Sequence, residues 1–250
     1  MDHPPNIDPG WKHLKITRVN GVMEVMLHSD RGPLVWNARA GFELTKFFGT
    51  LASNDDCKIL IMTGVGEAYC AKSVTFDFNK IRWRDVWAGQ QRMLGHLIDL
   101  NIIVVAAVNG PVLFHPEIPL LADIVVACPE AEFAELGHVP RSMVPGDGAQ
   151  LIMGARLGSS RANYFYLTSE HIRADEAHRL GMVHEIHPRE ILLSRAHELA
   201  KGLAEKPAAV LTYTKAALRL RERRNFHQDL SQGLAIEGLA LYAAGLSGPE

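Results

Sequence analysis

The period of apolar and polar positions changes several times along the chain, and each change marks an element. Alternating residues on both sides of Asn20-Gly21 predict a hairpin across residues 14–27, because Asn and Gly readily reach the positive φ that a two-residue turn requires. A 3.6-residue rhythm predicts helices over 39–51 and 77–100. Unbroken apolar runs predict buried strands at 58–63, 102–108 and 123–128, the first ended by Gly64-Val65-Gly66 and the last preceded by a short helix at 118–122. Strands that are apolar on both faces belong in a mainly parallel sheet covered by crossover helices, so the fold class is α/β.

From residue 146 onward the pattern is almost wholly helical, with helices expected at 149–157, 160–167, 174–180, 189–205, 208–224 and 227–246 and one strand-like piece at 182–186. This divides the chain into an α/β core at 13–188 and a C-terminal helical oligomerisation region at 189–250, with no internal repeat or low-complexity linker. The last helix has two apolar faces. Leu230, Leu234 and Leu241 form one, and Ala235, Leu239, Tyr242 and Leu246 form the other, which predicts a partner subunit.

Composition narrows the function. Lys plus Arg number 26 against 28 Asp plus Glu, a net charge of −2 that argues against a nucleic-acid partner. The longest clean apolar run, 102–108, is far shorter than the roughly 20 residues of a membrane span, and the start of the chain has no secretory pattern, so a soluble cytoplasmic protein is expected. Cys57, Cys70 and Cys128 are too scattered for a disulfide frame or zinc knuckle. The surplus is histidine, with 12 in the chain.

The densest polar clusters fall at predicted strand ends: Phe114-His115-Pro116-Glu117, Glu135-Leu136-Gly137-His138-Val139-Pro140 and Pro145-Gly146-Asp147-Gly148. Their Gly and Pro residues imply fixed loops, where α/β proteins place their sites. The loop between His138 and Asp147 can fold back so that the carboxylate accepts from one ring nitrogen and the other serves as a base for water. Alternatively Asp147 caps the following helix and His138 decorates a loop. His115 precedes Pro116 and Pro119, which fit only a first helical turn, so its ring lies at the positive end of a helix. That position favours a neutral imidazole able to donate to a carbonyl, or a simple cap. Glu237 interrupts the Leu230, Leu234, Leu241 stripe, either lining a pocket and holding water or pairing across a subunit interface. His184 and His187 have a ligand-like spacing without a third ligand nearby, so no metal is expected there. Residues 219–224 read as a solvated charge run, and neither a phosphate loop nor a serine nucleophile elbow is present.

Val104-Val-Ala-Ala-Val-Asn-Gly-Pro111, Leu121-Ala-Asp-Ile-Val-Val-Ala-Cys128, Val144-Pro-Gly-Asp-Gly148, Leu180-Gly-Met-Val-His-Glu185 and Glu205-Lys-Pro207 resemble the crotonase (enoyl-CoA hydratase/isomerase) superfamily from about residue 13 to the end. The resemblance implies a crotonase-like spiral of ββα turns with a helical C-terminal extension, assembled as trimers or hexamers, and stabilisation of an oxyanion or enolate. The family forms its oxyanion hole from backbone N–H groups of an Ala-Gly-x-Asp stretch and a Gly-Gly-Gly run. Here those stretches read Ala71-Lys72-Ser73-Val74 and Phe114-His115-Pro116, and a proline has no N–H to give. Hydratases of the family use two glutamates; Glu117 matches the first, and the second falls on His138.

The same departures are similar to one branch, the β-diketone hydrolases of the 6-oxocamphor hydrolase type. Leu34-Val-Trp36, Asn109-Gly-Pro-Val112, His115-Pro-Glu-Ile-Pro119, Gly137-His138, Val144-Pro-Gly-Asp-Gly-Ala149 and Gly233-Leu-Ala-Ile-Glu237 carry that likeness. It implies that His138 with Asp147 activates water, that Glu237 helps hold that water, and that Trp36 and His115 bind the diketone oxygens. A functional histidine of the branch falls on Gly41. The expected activity is retro-Claisen hydrolysis of a β-diketone, with no cofactor or metal. The alternatives are a CoA-thioester hydratase or isomerase using Glu117 and a non-catalytic interaction subunit.

Overall fold

The computed structural model describes residues 10–52 and 57–246. The chain begins with the expected hairpin, β1 (Leu14–Val19) against β2 (Val22–Leu27), with φ of 52° at Asn20 and 78° at Gly21. After β3 (Val35–Trp36) and α1 (Ala38–Ala52) come β4 (Ile59–Gly64), β5 (Lys72–Ser73) and α2 (Trp83–Asp99). The next turns bring β6 (Ile103–Val108), α3 (Glu117–Leu120), β7 (Ile124–Ala127) and β8 (Glu132–Phe133). The remaining elements are α4 (Ala149–Leu157), α5 (Ser159–Thr168), β9 (Ile172–Arg173), α6 (Ala174–Arg179), β10 (Glu185–Ile186), α7 (Arg189–Ala204) and α8 (Ala208–Ala243).

The main sheet runs β1-β2-β4-β6-β7-β10, antiparallel only between β1 and β2, as the continuous apolar runs require. β4 and β6 are buried along their whole length. A second layer is built from short pieces: β3 pairs with β5, Cys70 bridges to Val112, Val112 to Phe133, and β8 pairs with β9. Each turn of the chain therefore gives one long strand to the main sheet and one short strand or bridge to the second layer before it enters a helix. This is the crotonase-like ββα spiral. The second layer escapes sequence reading because two-residue strands carry no period.

Two helix expectations need correction. The stretch expected as helix over 77–100 is divided: Asp77 accepts from the Asn79 N–H to cap a single tight turn at 78–80, Ile81 is extended, and α2 starts at Trp83. Conversely, the expected helices at 208–224 and 227–246 are one helix, α8. No Gly or Pro interrupts Arg223-Arg-Asn-Phe-His227, and the buried stripe Leu211, Lys215, Arg219, Phe226, Leu230, Leu234, Glu237, Leu241 runs through it at helical spacing.

The charge run is likewise only partly solvated. Arg219 Nε and Lys215 Nζ reach Asp123 at 2.9 and 2.8 Å, and Asp123 also accepts from the Val104 N–H. Buried charges on α8 thus staple it to the start of β7. His184 Nδ1 accepts from the Val125 N–H, and His187 pairs with Glu185, so both serve the β7–β10 edge. Among the described residues, no helix is long and apolar enough to cross a membrane.

Candidate active site

Five expected site residues arrive from different elements. Trp36 ends β3, His115 lies in the loop before α3, His138 follows β8, Asp147 precedes α4, and Glu237 sits on α8. The structure brings all five together. His115 holds φ at 55°, a strained value for a residue with a side chain, and this conformation lays its ring against Trp36 with centroids 3.9 Å apart. His115 Nδ1 is 2.8 Å from Glu117 Oε1 and 3.6 Å from Asp147 Oδ2. His138 Nε2 faces Asp147 Oδ2 at 3.7 Å and Glu237 Oε1 at 3.4 Å. Glu237 is buried in the stripe of α8 and points into this cluster, which settles its geometry in favour of the inward alternative.

Glycines let α8 come this close. A Cβ on Gly146 would fall on the Gly233 backbone, and one on Gly233 would lie 2.6 Å from the Gly146 carbonyl. Gly233 is one helical turn before Glu237, so this contact sets the distance of Glu237 from the loop that carries Asp147.

Glu135 was missed in the sequence reading. The expectation that Asp147 orients the His138 ring is corrected: Nδ1 lies 2.9 Å from Glu135 Oε2, whereas Asp147 stands on the Nε2 side. Glu135 is itself fixed by the Gly137 N–H at 2.9 Å and the His138 N–H at 3.2 Å. The available signal was Glu-x-Gly-His, an acid three residues before the histidine with a glycine that permits a tight return.

The site is a dense set of carboxylates around two imidazoles. Burial works against charge on both rings, but Glu117, Asp147 and Glu135 outweigh it at His115 and raise its pKa. At His138, Asp147, Glu135 and Glu237 likewise override burial and raise it well above the ordinary value. The expected effect of the helix end on His115 is therefore corrected in direction, its pKa being raised and not lowered, since the four-residue α3 contributes too little positive potential against these carboxylates. Burial pushes Glu237 up to about 7 and also raises Glu117.

His115, Glu117 and Asp147 are, among the described residues, the group whose ligand atoms come within 4.8 Å of one another. Their centre is bridged by the His115–Glu117 hydrogen bond, which a cation would have to displace. The N–H groups of Leu113 and Phe114 both donate to Cys70 O, at 2.9 and 3.2 Å. A thioester-type hole would have to compete for them. A surface cleft of about 430 Å³ between the hairpin and α7, lined by Thr17, Glu24, His197 and Lys201, holds no comparable cluster.

Residues 17–239 match the enoyl-CoA hydratase/isomerase family. The chain belongs to that family. Among curated family members, a carnitinyl-CoA dehydratase from Salmonella arizonae is 29% identical over 227 residues, covering 88% of this chain and 84% of that protein. A 2,3-dehydroadipyl-CoA hydratase from Escherichia coli is 26% identical over 224 residues, covering 88% and 86%. Among solved structures, a β-diketone hydrolase from the cyanobacterium Anabaena, bound to (S)-3-oxocyclohexyl acetic acid, superimposes with a TM-score of 0.93 at 32% identity, covering 96% of this chain and 98% of that one. The chain is a crotonase-superfamily enzyme with a β-diketone hydrolase as a near structural neighbour.

Proposed function

We propose that this enzyme hydrolyses a carbon-carbon bond of a β-diketone, probed best with cyclic substrates, by a retro-Claisen reaction. The observation that carries this reading is the imidazole of His138 set between Glu135 on one side and Asp147 and Glu237 on the other, with the Trp36–His115 pair beside them. The likeness to the Anabaena hydrolase supports it.

His138 and Glu237 act as one acid–base unit. Having lost one proton, the unit takes another from water, whose oxygen bonds to one carbonyl carbon. The tetrahedral intermediate collapses with cleavage of the bond to the central carbon, and that electron pair becomes an enolate held by the second carbonyl. Trp36 and His115 hydrogen-bond the developing enolate oxygen, a kind of interaction worth roughly 2.7 to 4 kcal/mol per donor in other enzymes. The proton taken from water returns to the central carbon, giving a ketone and a carboxylic acid. Nothing is oxidised or reduced, so the reaction calls for no redox cofactor.

A second reading, CoA-thioester hydration through Glu117, draws on the CoA-ester names of the relatives and on the buried Glu117 carboxyl, whose pKa burial raises. One experiment separates the two. Mono- and bicyclic 1,3-diketones are incubated in ¹⁸O-water while enol absorbance is followed. The diketone reading expects a keto acid with one labelled carboxyl oxygen; turnover of enoyl-CoA esters with silence on the diketones would overturn it.

The assembly we propose is a homotrimer or hexamer. Ile236, Leu239 and Tyr242 share an outward face of α8 and are 57%, 66% and 71% exposed, a patch that a second copy would cover. The reading involves neither a nucleic acid nor a membrane.

A further inference from the structure

The proposed reaction develops negative charge on two oxygens, one on the carbonyl that water attacks and one on the enolate that departs. Trp36 and His115 lie together and can serve one of them. The groups around His138 are Glu135, Asp147 and Glu237; a carboxylate, when ionised, only accepts hydrogen bonds, and the proton held by the His138–Glu237 pair is the one the reaction moves. A second oxygen therefore lacks, among the five residues read from the sequence, a donor whose proton stays in place through the reaction.

Tyr166, on α5, supplies one. Its side chain is 9% exposed and its hydroxyl is buried with no hydrogen-bond partner among the described residues. Phe165 packs edge-on to its ring, with centroids 5.1 Å apart. The carboxylates whose charge the hydroxyl feels are Glu135, Asp147 and Glu117, all members of the site. Burial and these three anions push its pKa well above the ordinary phenol range, which keeps the proton on the oxygen across working pH. A buried donor left unpartnered costs stability unless something completes it. Here the ionisable groups whose charge it feels are the site's own.

We propose that Tyr166 is a substrate-binding residue whose O–H donates to the second oxygen of the diketone, the one that Trp36 and His115 do not hold. The assignment rests on the β-diketone reading and adds a requirement to it: productive substrates present two oxygens, each met by a donor of its own.

The test is Tyr166→Phe, which removes one oxygen atom and keeps the ring. The parent and the variant are compared on a bicyclic 1,3-diketone whose hydrolysis yields 3-oxocyclohexyl acetic acid. Their affinities for that diketone and for the matching monoketone are measured by calorimetry. The expected result is a kcat/KM lowered about 100- to 1000-fold, with Tm unchanged or higher, and a parental preference for diketone over monoketone that shrinks in the variant. Kinetics within twofold of the parent overturn the assignment and leave the β-diketone reading standing. A parent that is silent on the diketone overturns both. Should Tyr166→Phe not fold, the parent alone decides, because equal affinity for diketone and monoketone would show that the second oxygen meets no donor.

Discussion

Nε2 of His138 and Oε1 of Glu237 lie 3.4 Å apart, joining a loop after β8 to a helix 99 positions later in the chain. Burial lifts the carboxyl to about 7 while the histidine is raised by its anionic neighbours, so the pair holds its last proton in the neutral range. Below about pH 7 Glu237 is protonated and the pair cannot accept a proton from water. We expect kcat/KM for a diketone to fall about tenfold per pH unit on the acid side of that value. Glu237→Gln should lower the rate and flatten that limb; a parental profile that stays level down to pH 5 would show that Glu237 is not part of the base.

Removal of the imidazole should be more severe. His138→Ala is expected to reduce kcat by at least about 10³, within the usual range for a general base or acid. Its effect on stability carries a sign. The folded pKa of His138 is raised, so its contribution to stability is fully present below the unfolded value of about 6.5 and is lost as pH rises through the folded value. The Tm difference between parent and His138→Ala should therefore be larger at pH 6 than at pH 9.5, as read by thermal melts with circular dichroism. An equal difference at both would mean that the ring is not held as a cation.

The long strands, the hairpin and four of the five site residues were legible because each carries a local mark: a buried apolar run, an Asn-Gly turn, a polar residue inside a Gly/Pro loop or an apolar stripe; Trp36 came only through the resemblance to the β-diketone hydrolases. Glu135 was not, since a glutamate near a histidine is common and only the fold shows that it takes Nδ1 while Asp147 takes the other side. The partner of Arg219 was hidden for a related reason. Its acid, Asp123, is 96 residues away, and periodicity cannot tell a snorkelling arginine from one that enters the core. The direction of the His115 pKa shift was misjudged because a helix terminus is visible in sequence and the surrounding carboxylates are not.

Asp123 offers a stability test independent of catalysis. Its carboxylate meets Lys215, Arg219 and the Val104 N–H, and the two cations are nearly buried. Asp123→Ala leaves Lys215 without its counter-ion and Arg219 with Glu222, at 3.0 Å, as its remaining acid, and breaking a buried pair costs about 3 to 5 kcal/mol. Urea unfolding should show a lower midpoint with α8 exposed early to proteolysis. A loss below about 1 kcal/mol, the scale of a surface ion pair, would mean that water reaches this cluster.

Gly233 links packing to chemistry. An added methyl would sit 2.6 Å from the Gly146 carbonyl and closer still to the Gln150 amide, so Gly233→Ala forces α8 away from the Asp147 loop. Alanine is the better helix former by about 1 kcal/mol, which offsets part of the strain. Displacement of Glu237 by even about 1 Å from His138 is expected to cost on the order of 100-fold in kcat. The shift should also separate the coupled pair, drawing the acid limb of the pH profile away from 7. If Gly233→Ala kept parental kcat and the same acid limb, the glycine contact would be a packing detail and the position of Glu237 would be set from elsewhere on α8.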